Sequence, residues 1–156
     1  MAGYRFVTVW RFRAPINAVW EALVDSEKWP QWWQGVASVK EVRPPNPDGL
    51  GGVRRYVWRS RLPYNLAFDM EVTQSQHPNL LEGRAGGELE GTGTWRLTET
   101  NGVTTVGFTW EVHTTRPWMN LMAPLARRLF AWNHDYVMAR GGEGLAALLG
   151  VELLPT

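Results

Sequence analysis

In the segment WRFRAPINAVWEALVDSEKWPQWW, residues 10–33, the hydrophobic period changes from that of a strand to that of a helix. Apolar and polar residues alternate over Tyr4–Arg13, a pattern typical of a strand with one buried face. Pro15 suits the first position of a helix. The apolar residues that follow at helical spacing are Ile16, Val19, Trp20 and Leu23. Asp25 and Ser26 then favour the end of this helix and the start of a second short one, which Pro30 interrupts.

Downstream of residue 33 the pattern is a series of strands. We predict strands over Val36–Val42, Val53–Leu62, Leu66–Gln74, Leu80–Glu90, Gly91–Thr100 and Val103–Thr115. The stretch Arg43–Gly52 holds three prolines and three glycines and therefore predicts a loop. Asn101-Gly102 predicts a two-residue hairpin turn between the last two strands.

From Pro117 to Leu149 the period is helical again. The apolar residues that step along one side of this helix are Met122, Leu125, Leu129, Trp132 and Tyr136. Its glycines Gly141, Gly142 and Gly144 each cost about 1 kcal/mol relative to alanine in a helix interior. We interpret them as sites of close packing or of a bend.

This order of elements predicts an α+β fold. About seven strands form a curved antiparallel sheet, two short helices follow the first strand, and one long C-terminal helix covers the apolar face. A strongly curved sheet can hold the helix away from part of its surface, which leaves a cavity. We see no repeat, linker or break in composition, so residues 1–156 are expected to form one domain.

The composition excludes several classes of function. A formal net charge of +1 argues against electrostatic nucleic-acid binding, and the absence of cysteine excludes disulfides and thiolate sites. No apolar run approaches about 18 residues, so stable membrane insertion is not expected. The N-terminal MAGYRFVTVW is typical of a strand rather than of a signal peptide. We therefore expect a cytoplasmic protein.

Ten tryptophans in 156 residues favour an aromatic pocket, because a small core cannot easily bury them all. Strand parity and helix spacing identify the side chains expected to line it. The predicted ligand-binding residues are Trp58, Phe68, Met70, Trp95, Phe108, Trp110, Met122, Leu125, Leu129, Trp132 and Tyr136.

The opening and the ending of the chain resemble the SRPBCC superfamily, which includes START-type lipid-binding domains and polyketide cyclase/dehydrase-like proteins. The opening residues that carry the resemblance are Ala14, Pro15, Val19, Trp20, Asp25, Trp29 and Trp33. The ending AWNHDYVMARGGEGLAALLG is similar to the terminal helix of the bacterial polyketide cyclase-like branch. In order of elements the resemblance runs from Tyr4 to Gly150 and implies a helix-grip fold. The superfamily shares a cavity and not a chemistry.

The histidines and acidic residues predict no reactive centre. His77, His113 and His134 lack metal-ligand spacing, so neither a metal nor another cofactor is expected. Glu71, Glu111 and His113 lie opposite the apolar faces of their strands, where solvent reaches them unless a β-bulge turns them inward.

Pocket donors are better sought among other polar residues. Tyr56, Tyr136 and Asn133 are the catalytic candidates, with Arg54 beside Tyr56 on the inward face of its strand. Strand 54–61 alternates basic and aromatic residues, which we interpret as aromatics inward and arginines in solvent rather than as a nucleic-acid platform. Segment 117–132 could contact a membrane surface or gate the pocket. We favour the interpretation that this segment forms the first half of the long helix and faces the cavity.

The sequence is compatible with three functions. The first is binding of a hydrophobic small molecule, lipid-like, polyketide-like or aromatic, between the sheet and the long helix. The second is a polyketide cyclase, aromatase or dehydratase-type enzyme that uses the same cavity. The third is a protein-interaction or chaperone-like module that uses the outer face of the sheet and has a small cavity or none.

Overall fold

The order of helices and strands comes from a computed structural model, which describes residues 3–59, 65–115 and 123–156. The elements are β1 (Gly3–Phe12), α1 (Ile16–Val24), a 3₁₀ helix (Ser26–Gln31), β2 (Val36–Arg43), β3 (Val53–Trp58), β4 (Leu66–Gln76), β5 (Leu80–Gly87), β6 (Leu89–Thr100), β7 (Val103–Thr114), α2 (Ala123–Leu149) and β8 (Leu153–Leu154). Within these residues, one antiparallel sheet has the strand order β2-β3-β4-β5-β6-β7-β1-β8. None of the helices in the described ranges is long and apolar enough to cross a bilayer.

The predicted α+β, helix-grip architecture is confirmed. Two observed strands are clearly shorter than predicted: β3 ends at Trp58, and the predicted strand Leu80–Glu90 ends at Gly87. Gly87 has a φ of +113°, a conformation that interrupts an extended strand. Strand β8 pairs with the end of β1. It was not predicted, because a strand of two residues is too short to show an alternation of apolar and polar side chains. The predicted ends of two elements, 60–62 and 117–122, lie outside the described residues.

The predicted hairpin between β6 and β7 is confirmed. Asn101 has a φ of 53° and Gly102 a φ of 78°, and a type I′ turn requires positive φ at both central residues. The turn sets the register from Thr100 opposite Val103 to Leu89 opposite Thr114. Inward and outward faces of both strands follow from this register.

Trp33 lies at the centre of a cluster of indoles that joins the short helices to the sheet. Its ring centroid is 4.8 Å from that of Trp29, 5.5 Å from that of Trp10 and 5.2 Å from that of Trp58. Only 1% of Trp33 is exposed. Aromatic pairs at these separations add stabilisation beyond the apolar area that they bury.

The same tryptophan docks helix α2. Trp33 Nε1 donates a hydrogen bond to the carbonyl of Val137 at 2.9 Å. A Cβ on Gly141 would fall within the Trp33 indole, and a Cβ on Gly144 would overlap the carbonyl oxygen of Trp32. Of the two roles that the sequence indicated for these glycines, close packing or a bend, the contacts support close packing.

Trp10 repeats this arrangement one residue further along the helix. Its Nε1 donates to the carbonyl of Met138 at 3.1 Å, and a Cβ on Gly142 would lie 3.0 Å from its ring. In both cases the glycine follows the acceptor carbonyl by four residues, so the missing side chain lets the indole reach the helix backbone. Two such contacts fix how α2 is rotated against the sheet.

We expect Gly141→Ala to destabilise the protein by about 1–3 kcal/mol, although alanine is the better helix former. The added methyl group would overlap Trp33 and push α2 away from the indole cluster. Urea denaturation measures the change in the free energy of unfolding. Glu143→Ala, at a side chain that is 55% exposed on the same turn, is the control and should be nearly neutral. Unchanged stability of Gly141→Ala would contradict the docking role.

Candidate ligand cavity

A cavity of about 440 Å³ lies between the inner face of the sheet and helix α2. Strands β1 and β3–β7 supply most of its wall, and the end of α1 and the 3₁₀ helix close one side. The loop between β2 and β3 contributes Pro45, Gly49 and Gly52. Helix α2 contributes Phe130, Asn133 and the segment around Val137.

Cross-strand register explains the space in the middle of the sheet. One inward row runs through Val72, Gly83, Gly93, Trp110 and Phe6 on five successive strands. A Cβ on Gly93 would lie 3.0 Å from the Trp110 ring, and one on Gly83 would lie 2.9 Å from the methyl group of Met70. The two glycines therefore let Trp110 and Met70 lie over the backbone, and the cavity forms above them.

The structure places six of the predicted ligand-binding residues on the cavity wall. They are Trp58, Phe68, Met70, Trp95, Phe108 and Trp110. All six lie on strands, where the two-residue period determines the inward face. That they contact a ligand stays a prediction.

Helix α2 departs from the predicted orientation. Leu125, Leu129 and Trp132 are 53%, 42% and 48% exposed and lie off the cavity wall. Tyr136 is half-buried against the indole cluster, also off that wall, and Met122 lies outside the described residues. The packing of Gly141 and Gly142 against the two indoles sets the rotation of α2. This rotation turns a different face of the helix toward the cavity.

The inward face of α2 carries Phe130, Asn133, His134, Val137 and Met138. Asn133 was predicted as a pocket donor, whereas His134 was considered only as a metal ligand. Within the described ranges no group of three or more histidine and acidic side chains could hold a metal ion. One signal in the sequence could have identified His134: positions 134, 137, 138 and 141 are spaced so that they share one face of a helix.

A polar cluster interrupts the apolar wall where β3 faces the 3₁₀ helix. Tyr56 Oη donates a hydrogen bond to Ser26 Oγ at 2.8 Å. Arg54 Nη1 donates to the same oxygen at 2.6 Å and to the carbonyl of Val24 at 2.8 Å. Glu27 lies 3.6 Å from Arg54 Nε. The sequence predicted that Tyr56 and Arg54 face the cavity, but it did not identify Ser26. Ser26 lies in a 3₁₀ helix, where no alternating pattern shows which side chains point inward.

Tyr56 is a neutral donor in this cluster. Burial raises the pKa of its phenol, against the hydrogen bond to Ser26 and the charge of Arg54, which both lower the pKa. The hydroxyl therefore keeps its proton at neutral pH and can donate or transfer it.

The three residues predicted to face outward each have a charged neighbour on the sheet. Glu111 forms an ion pair with Arg5 at 3.3 Å, and His113 Nε2 lies 3.3 Å from a carboxylate oxygen of Glu90. Glu71 lies within 3.4 Å of Arg43 and 3.7 Å of Arg84, at the edge of the cavity.

His134 lies deep in the wall. Its ring stacks on Phe6 with 4.5 Å between centroids, and neither ring nitrogen has a hydrogen-bond partner among the residues that the structure describes. Burial lowers its pKa to about 4, although the Asp135 carboxylate, 4.0 Å from Nδ1, opposes the shift. The imidazole is therefore neutral at physiological pH.

Comparison with known proteins gives a family and a fold. The family model described as polyketide cyclase / dehydrase and lipid transport matches residues 5–150. No curated protein matches the sequence. An aromatase/cyclase (ZhuI) from a Streptomyces species is 13% identical, with 93% of this chain and 92% of that chain covered and a TM-score of 0.77.

Two further solved structures share the fold. A START superfamily protein from Mycobacterium smegmatis is 13% identical, covers 93% of this chain and 98% of its own, and has a TM-score of 0.76. A protein from Thermus thermophilus is 19% identical, covers 93% and 99%, and has a TM-score of 0.73. At these identities the likeness concerns the fold alone.

We expect acid to destabilise the wild-type protein more than His134→Gln. The folded pKa of about 4 lies below the value of 6.5 for a free histidine, so the contribution of neutral His134 is complete above pH 6.5 and is lost as the pH falls through 4. Between pH 7 and pH 4 the wild type should lose roughly 3 kcal/mol more free energy of unfolding than the variant. Urea denaturation at both pH values measures this, and equal losses would contradict the burial of a neutral imidazole.

Proposed function

Since the chain belongs to the polyketide cyclase/dehydrase and lipid transport family, we propose that it binds an apolar, partly aromatic small molecule between the sheet and α2. The volume of about 440 Å³ falls within the roughly 300–1,000 Å³ of small-molecule sites. A module that acted only through its outer face would need no such cavity, which weighs against the interaction hypothesis.

The observation that carries the proposal is a ladder of aromatic rings along the wall. The ring centroids of Trp95 and Phe108 are 4.2 Å apart, and those of Phe108 and Trp110 are 5.9 Å apart. The ladder continues from Trp110 to Phe68 at 5.4 Å and from Phe68 to Tyr56 at 6.2 Å. Such rings offer flat, rigid apolar surface at low entropic cost, which suits a planar hydrophobic ligand.

We expect native mass spectrometry of protein taken gently from its host to detect a bound apolar molecule, and Gly93→Val to abolish it. The valine side chain would push Trp110 and Phe108, whose atoms lie 3.0 and 3.3 Å from the new Cβ, into the cavity. Affinity for the extracted ligand should fall at least tenfold, as isothermal titration measures.

The matched control is Gly107→Val on the outer face of the neighbouring strand. The nearest atom to its Cβ is the carbonyl oxygen of Arg96 at 3.9 Å, so the valine fits without displacing the wall. This variant should keep the ligand. A ligand-free wild-type spectrum, or equal binding by both variants, would contradict the proposal.

A second candidate function is cyclisation or dehydration of a polyketide-like substrate in the same cavity. The polar cluster of Tyr56, Ser26 and Arg54 supports it, because a neutral phenol can donate a proton while a guanidinium stabilises a developing oxyanion. The described aromatase/cyclase activity of one structural neighbour agrees with this chemistry.

For this second function, Tyr56→Phe should lower turnover of a linear poly-β-ketone by about 100-fold or more while binding changes little. Tyr136→Phe is the control, since Tyr136 lies off the cavity wall, and its turnover should equal that of the wild type. Product formation followed by liquid chromatography compares the three proteins. Equal turnover by Tyr56→Phe would remove Tyr56 from the catalytic role.

A further inference from the structure

The outer side of helix α2 exposes a stripe of large apolar side chains that the cavity does not use. Leu125 is 53% exposed, Leu129 42% and Trp132 48%. Spacings of four and three residues place these side chains on one side of the helix, over a length of about 10 Å. None of the three lies on the cavity wall. Single exposed apolar residues are ordinary in soluble proteins, whereas a contiguous stripe indicates a contact surface.

Positive charge lies beside this stripe. Arg127 and Arg128 are both exposed, and neither has a carboxylate within ion-pair distance among the residues that the structure describes. Arg127 donates a hydrogen bond to the carbonyl of Gly3 at 3.0 Å, which leaves its charge unbalanced. The sequence has no acidic residue between Glu111 and Asp135. Apolar surface and uncompensated positive charge therefore occur together at the start of α2.

The same side of α2 becomes polar further along the helix. Arg140 and Glu143 lie there and form an ion pair at 3.1 Å. The residues that line the cavity, such as Phe130 and His134, are on the opposite side of the helix. A partner of the stripe therefore contacts one end of α2, and it does not compete with a cavity ligand for the same side chains.

We propose that the stripe of Leu125, Leu129 and Trp132 docks the protein on an anionic lipid surface. The apolar side chains would enter the interfacial layer, and Arg127 and Arg128 would lie near the lipid phosphates. Apolar residues flanked by arginines are typical of helices that lie in a membrane interface. Each arginine near an anionic surface strengthens such binding about fivefold. This adsorption needs no membrane-spanning helix, and it goes beyond the proposed function because it does not depend on what the cavity holds.

Cosedimentation with lipid vesicles tests the proposal. Wild-type protein should bind vesicles of phosphatidylcholine and phosphatidylglycerol in equal parts more tightly than vesicles of phosphatidylcholine alone. High salt should weaken this binding, because it screens the attraction of the arginines to the phosphates. Leu125→Asp should weaken binding to the mixed vesicles about tenfold or more, since it replaces buried apolar surface with a repelled charge. Arg128→Gln should weaken it about fivefold.

Two exposed residues provide matched controls. Leu148 is also 53% exposed on α2, but it lies near the C-terminal end of the helix and outside the stripe. Val7 is 56% exposed on the outer face of the sheet. Leu148→Asp and Val7→Asp should both bind the mixed vesicles as tightly as the wild type. Thermal unfolding checks that each variant folds.

Two results would overturn the inference directly: failure of the wild type to bind the mixed vesicles, or a loss in either control as large as that of Leu125→Asp. A stripe that joined two copies of this chain would instead give a dimer in sedimentation velocity without lipid, which Leu125→Asp dissociates, and this would also overturn it. The native mass spectrum of the cavity ligand is a separate measurement. Lipid docking can therefore fail while the proposed binding function stands, and the reverse.

Discussion

The contact between two indoles and two helix glycines holds α2 against the sheet. Trp33 and Trp10 each lie against a glycine of α2 and donate to the carbonyl four residues earlier. A side chain at Gly141 would overlap the Trp33 ring and separate its N–H from the acceptor, and one at Gly142 would crowd the Trp10 ring at 3.0 Å. Close packing, hydrogen bonding and burial of aromatic surface thus act at one place, and together they hold α2 at a single rotation.

The position of the cavity follows from this contact between the two indoles and α2. The contact holds the C-terminal half of α2 close to the sheet, while the preceding turns pass over a region where Gly83 and Gly93 remove side chains from the sheet surface. Aromatic rings on the adjoining rows surround the space without filling it. A cavity in the middle of a well-packed fold therefore depends on missing side chains at positions set by strand register, and the same positions control its depth.

A polar cluster interrupts the apolar wall at one end of the aromatic ladder. Arg54 and Tyr56 meet Ser26 there, and the members of the cluster hydrogen-bond one another. Such a cluster maintains its geometry without a ligand. His134 lies on α2 and stacks on Phe6, whose strand neighbour Trp110 is a middle member of the ladder.

The amino-acid pattern predicted the order of every element except β8, the hairpin at Asn101-Gly102 and the inward residues of the strands. In a strand only two faces exist, so alternation decides which side chains line the wall, and Trp95 and Trp110 could be placed correctly. The face of α2 that points to the cavity depends on packing between distant parts of the chain. Apolar residues surround that helix on several sides, and Leu125 and Phe130 are equally plausible inward residues by period. The fit of indoles against backbone at Gly141 selected Phe130, because such a contact joins residues about a hundred positions apart and leaves no local pattern.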